Sequence, residues 1–174
     1  MKRILSALLF VLAIAQFVSA QDLNLPRVSQ SATVKQTVGL TDITIMYSRP
    51  GVKGRVIWGE LVPYDQVWRT GANEATLFAT DKEIKVEGKK LPAGKYSLYT
   101  IPGEKEWVFI FNSQTGQWGV KDNEETTEDP AKDVLRVTVK PEKSASFNER
   151  MKFDVDKAGF ALLWENLKVP VSVK

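Results

Sequence analysis

The sequence predicts an all-β fold, an antiparallel two-sheet sandwich of jelly-roll-like arrangement. Three observations predict it. Segments of period-two alternation, rich in β-branched and aromatic residues, recur from residue 32 to residue 173. Gly- and Pro-containing turn sequences separate them at short intervals. No amphipathic stretch long enough for a helical crossover lies between any two, which disfavours a parallel sheet.

In order along the chain, the alternation predicts strands over 32–38, 41–47, 66–70, 76–80, 83–86, 95–101, 107–112, 134–140, 150–154, 160–166 and 168–173. In the second of these, Ile43, Ile45 and Tyr47 share one face while Thr44 and Met46 take the other. Pro50-Gly51 and Pro102-Gly103 place Pro second and Gly third in expected type II turns, where Gly supplies the positive φ, so both should reverse the chain. Glu87-Gly88 closes a strand and Leu91-Pro92-Ala93-Gly94 leads into the next, which makes 84–111 a three-strand meander. Lys157-Ala158-Gly159 joins two strands into a hairpin. Trp107 and Trp164 alternate within clear strands and are assigned to the core. Residues 113–133 have no strand pattern. Their acidic run from Asp122 to Asp129 contains no glycine for the sharp turn of a calcium loop, so it reads as a solvated mobile loop. Asp154 and Asp156 flank a turn and read as exposed.

The first twenty residues have the pattern of an export signal. Lys2 and Arg3 precede an apolar run over 4–18, and Val18-Ser19-Ala20 supplies small residues for cleavage before Gln21. The run is too short to span a bilayer comfortably, and a lipidated N-terminus needs a cysteine that the chain lacks, so no stable membrane anchor is expected. The expected product is periplasmic or secreted, with residues 21–174 forming one β-sandwich domain. Loss of Lys2 and Arg3 lowers the net charge from +3 to about +1, and no basic stripe remains to capture nucleic acid. The chain contains no cysteine and no histidine. Disulfides, thiol catalysis, Ser-His-Asp triads and nearly all transition-metal sites are thereby excluded. No phosphate loop or nucleophile elbow is present, and no metal or cofactor is expected.

Residues 47–80 break the alternation with a run of arginine, tryptophan and glycine. Long irregular segments on a rigid scaffold are where binding and catalysis concentrate. Arg49, Arg55 and Arg69, with Asn73 and Glu74, are candidates to line an anion or polyol site, because guanidinium forks take carboxylate or phosphate at two points. Trp58, Tyr64 and Trp68 are candidates to stack on a sugar ring. The sequence thus points to a small polar or anionic ligand or a glycan. The competing structural reading pairs Arg69 with Glu74 or Asp65 to fasten the loop above buried tryptophans. Two further readings stay open: a glycoside hydrolase using two of Glu60, Asp65 and Glu74, and a structural or adaptor protein of the cell envelope that docks a protein partner through a strand edge or the acidic loop.

Tyr47-Ser48-Arg49-Pro50, Gly54-Arg55, Leu61-Val62-Pro63-Tyr64, the run from Val67 to Thr76 through Trp68-Arg69-Thr70-Gly71-Ala72-Asn73-Glu74, the run from Leu91 to Leu98, Ile101-Pro102-Gly103, Trp107 and Trp118-Gly119 together resemble the domain-of-unknown-function 2911 family of exported bacterial proteins. The resemblance covers nearly all of residues 21–174, and Trp-Arg-Thr-Gly-Ala-Asn-Glu is its specific signature. Where the family carries an aromatic soon after Trp-Gly, this chain has Val120. The resemblance implies an exported single β-domain and brings no activity, substrate or catalytic residue.

Overall fold

A computed structural model describes residues 26–174; the expected export signal and cleavage point lie outside them. Ten strands make up almost all of the regular structure: β1 (Gln30–Val38), β2 (Thr41–Arg49), β3 (Thr76–Thr80), β4 (Ile84–Val86), β5 (Lys89–Leu91), β6 (Gly94–Ile101), β7 (Trp107–Asn112), β8 (Asp133–Val139), β9 (Glu142–Asp156) and β10 (Gly159–Ser172). The fold is all-β, as the alternation requires.

One layer is a six-stranded antiparallel sheet in the order β1-β2-β3-β6-β7-β8. The opposite layer is built on the long β9–β10 hairpin. Pro50–Val52 adds to β9, with Gly51 bridging Arg150 and the Val52 N–H donating to Glu149 O at 2.8 Å. The β4–β5 hairpin adds to the end of β10 through Val86 and Val173.

The alternation places the core between the layers. Ile43, Ile45, Phe78, Leu98, Trp107, Phe109 and Phe111 face Met151, Phe153, Phe160, Leu162, Trp164 and Val171. With no cysteine, this burial is what holds the sandwich, at about 25 cal/mol for each Å² of apolar surface removed from water. Tyr47 ties the layers at a polar point, its hydroxyl accepting from the Phe153 N–H at 3.1 Å while its ring meets Phe153 edge-on at 5.0 Å.

Several local expectations are corrected. Gly51 and Gly103 lack positive φ, so neither dipeptide forms a type II turn. The chain runs straight through Pro50 because β9 offers a strand to pair with, and the reversal comes at Lys53 and Gly54, both left-handed. Gly103 is required by crowding: a Cβ there would lie 2.5 Å from Glu106 O. Residues 66–70 are not a strand; only Trp68 pairs, with Thr100. The expected meander contains four strands, β4 and β5 belonging to the second layer. The two C-terminal strands are one, bent at Glu165, whose φ is 56°. The bend brings Val171 O to 2.1 Å from the position of a Cβ on Gly159, where φ is 142°, so only glycine fits.

Candidate functional site

The eight sequence-derived candidates occupy separate places. Arg49 and Arg55 serve the crossing of Pro50–Val52 onto β9. Arg49 Nε donates to Met151 O at 3.0 Å, and Arg55 donates to Val52 O at 3.2 Å and Gly51 O at 2.6 Å. Trp58 and Trp68 join Trp107 and Trp164 in a packed tetrad. Trp68 stacks on Trp164 at 6.0 Å, and Trp58 meets Trp68, Trp107 and Trp164 edge-on at 6.1, 5.1 and 5.6 Å. Tyr64 lies over Gly59 beside the 102–106 turn. Its hydroxyl is pushed above the ordinary phenol value by burial and then by Glu104 and Glu165.

Asn73 and Glu74 fasten the loop to the start of the chain. The Asn73 amide donates to Ser29 O and Ser48 Oγ at 3.0 and 3.2 Å. Both Glu74 oxygens accept from Arg27, at 2.6 and 2.8 Å. Burial raises the Glu74 carboxyl, but the Arg27 hydrogen bonds, its own backbone N–H and the Arg27 charge outweigh that and hold it below the ordinary value. Glu74 therefore pairs with Arg27, not Arg69. Between these anchors Thr70 is buried and left-handed at φ 57°, a costly state for a β-branched residue. It is fixed by Thr76 Oγ1 donating to its carbonyl at 2.7 Å and by its hydroxyl bond to Thr100 at 3.1 Å.

This tight loop aims one side chain differently. Trp68 bridges Thr100 with its ring in the core, while Arg69, next in line, lies against Gly119, whose neighbour Gln117 bonds Tyr99 on the other face of the six-stranded sheet. That face is not open. The strandless segment folds down over it from 113 to 129 as a flap, with Asp122 to Glu125 of the acidic run exposed as expected and 126–129 partly covered. Trp118 bridges Glu74, the Gly119 N–H donates to Asn73 O at 3.0 Å, and Asn112 holds Asp129 O at 2.8 Å. Beneath it the Gln117 amide donates to the Tyr99 hydroxyl at 2.8 Å, which lies 3.0 Å from Thr127 Oγ1.

The layer under the flap is polar and incompletely paired. Among the described residues, the Arg69 side chain has no hydrogen bond and no carboxylate within ion-pair range, and its Nε is buried without a partner. Burial alone lowers its pKa. Ser97 Oγ, in a residue 1% exposed, and Gln117 Oε1 are likewise buried and unpaired. Trp118 stands beside this group, 50% exposed. Gly119 lies directly on the Arg69 side chain, a Cβ there falling 2.3 Å from Arg69 Cδ. The arrangement presents a half-buried cation, with no counterion among the described residues, near an accessible indole.

A second polar group closes the flap's far end. Arg136 bonds Glu128 at 2.9 Å and Asp133 at 2.6 Å. Glu128 is raised above the ordinary carboxylate value by burial and then by Asp133, against the pull of Arg136. Such a group stabilises the fold when protonated. Its contribution is full below the unfolded value, near 4.5, and is lost as pH rises through the higher folded one. We expect the unfolding free energy of wild type relative to Glu128→Gln to shift in favour of wild type on acidification across that window. Denaturant titrations at a series of pH values check this.

Two concavities lie elsewhere. A trough of about 830 Å³ runs between β8 and β10, and one of about 690 Å³ adjoins Tyr64; both include Glu106 and Lys140. Most charged groups of the larger are engaged internally, Lys168 with Glu142, Asp154 with Lys152, and Glu87 with the Ser172 N–H. Among the described residues no group of three or more His, Cys, Asp or Glu is placed to hold a metal, and no helix is long and apolar enough to cross a membrane.

Arg69 is among the candidates that the sequence offers, while Trp118-Gly119 enters only through the family resemblance and Ser97, Tyr99, Gln117 and Thr127, which line the polar layer, are not singled out. A signal was present: Tyr96 and Tyr99 fall on opposite faces of β6, so both faces of that strand had to be covered.

Neither the curated proteins nor the solved structures include a significant match to this chain. A family model described as "Protein of unknown function (DUF2911)" matches residues 29–173. That span takes in the bridged loop, the flap and both layers of the sandwich, and the chain belongs to this family.

Proposed function

We propose that the chain is an exported protein that binds a small anionic ligand, or an anionic glycan, at Arg69 under the edge of the 113–129 flap. The observation that carries this reading is the Arg69 guanidinium, half-buried and without a carboxylate among the described residues. A partly desolvated cation whose buried Nε has no partner is costly to keep, and a bound carboxylate or phosphate would supply the missing charge-assisted bonds. Trp118 offers a face on which a sugar ring can stack. Glycoside cleavage through Glu74 is disfavoured because both its oxygens are held by Arg27.

Calorimetric titration with glucuronate, galacturonate, inorganic phosphate and neutral glucose tests the reading, using wild type and Gly119→Ala. Ala at 119 forces the Arg69 side chain out of its present path. At least one anion is expected to bind wild type, more tightly than glucose, and to lose about tenfold or more in affinity in Gly119→Ala, the scale of one charge-assisted contact. No anion binding, or equal binding by the variant, would overturn it.

A further inference from the structure

One margin of the six-stranded sheet is β1. Its nine residues pair with β2 without a bulge and end in a two-residue turn at Gly39 and Leu40. A two-residue hairpin makes Val38 and Thr41 a mutually bonded pair. Alternation then directs the N–H and C=O groups of Gln30, Ala32, Val34, Gln36 and Val38 to β2. Those of Ser31, Thr33, Lys35 and Thr37 point away from the sheet, and among the described residues they meet no backbone partner.

Proteins usually guard such an edge with proline, a bulge or several charges. β1 has no proline and no bulge, and its one charge, Lys35, is neutralised by Asp42 at 2.9 Å. β1 packs one face on the core and on β9, which leaves its outward backbone groups unpaired, whereas the opposite margin, β8, carries Asp133 and Arg136.

We infer that β1 pairs antiparallel with β1 of a second copy of the chain, about a two-fold axis at Val34, joining two six-stranded sheets into one. The four outward residues are placed symmetrically about Val34. The axis sets Ser31 against Thr37 and Thr33 against Lys35 of the second copy, making about eight hydrogen bonds and leaving none of the four unpaired. Lys35 then faces threonine, not its own copy. The same axis brings Val28 opposite Leu40 of the second copy. These are the two most exposed large apolar residues among those described, at 69% and 83%, and each lies six positions from Val34. A register centred on Thr33 or Lys35 separates them and strands an outward residue. The pairing uses each edge once, so assembly closes at two.

The chain has no cysteine, which gives a clean test. Val34 faces its own copy across the axis in a non-bonded pair, where the Cα separation of about 4.5 Å suits a disulfide. Light scattering is expected to give a dimer mass for wild type and a monomer mass for Thr33→Pro. That substitution removes an outward N–H and leaves the β1–β2 ladder and the melting temperature nearly unchanged. Under mild oxidation Val34→Cys should cross-link into covalent dimers, and Gln36→Cys, which the axis sets against Ala32, should not. A monomeric wild type, a Thr33→Pro variant that stays dimeric, or equal cross-linking at 34 and 36 would overturn the inference.

Discussion

Trp164→Ala is expected to cost about 3–5 kcal/mol of folding free energy, most of what a domain with stability of about 5–15 kcal/mol has to lose. The residue is 1% exposed and is packed by Trp58 and Trp68 at ring separations of 5.6 and 6.0 Å. No disulfide stands behind it. Removing the indole opens a cavity at the meeting point of the irregular loop and both layers, and the remaining tryptophans cannot close it without breaking the Trp68–Thr100 bridge. Trp164→Phe should cost much less, because it keeps an aromatic ring and also removes an indole N–H that has no partner. Urea midpoints of the two variants measure the difference. Near-equal midpoints would show that the tetrad is not the fastening of the loop.

The second large effect has the opposite sign. Arg69→Met should raise stability in the absence of ligand, because it removes a desolvated charge and a buried unpaired Nε while keeping much of the side-chain length. The gain should be about 1–3 kcal/mol, the usual cost of a buried polar group left without a partner. Signature residues that only hold a fold do not behave this way. Asn73→Ala should destabilise, since Ser29 O and Ser48 Oγ then lose their donor. A site in which stability and binding pull apart is the pattern expected of a functional residue.

Much of the fold could be read from the sequence, because alternation records burial directly. Ile43, Ile45 and Tyr47 face the core as their spacing demands, and β6, β7 and β8 lie within a residue of their expected bounds. The errors arise where a distant segment decides the local outcome. Pro50-Gly51 has the composition of a turn, yet it runs extended because Glu149 to Met151, a hundred residues away, bonds to it on both sides. Glu165 carries no sign of the left-handed conformation that bends β10.

The candidate site was legible in one respect. The Trp-Arg-Thr-Gly-Ala-Asn-Glu run marked an important loop, but could not separate its fasteners from its free group. Arg49, Asn73 and Glu74 are tied to groups far along the chain, Glu74 to Arg27 outside the run altogether, while Arg55 is tied to the nearby Gly51 and Val52 carbonyls. Which arginine lacks a partner is a property of the assembled flap. It depends on Gly119 leaving room for the Arg69 side chain and on residues 113–129 burying it without offering it a carboxylate.

Thermal melts of wild type and Arg69→Met, each with and without the tightest-binding anion from the calorimetric series, test the account most directly. The variant should melt above wild type when both are free of ligand, and the anion should raise the midpoint of wild type alone. A variant that melts below wild type, or that responds to the anion as wild type does, would contradict the claim that Arg69 is a cation held in wait for a ligand.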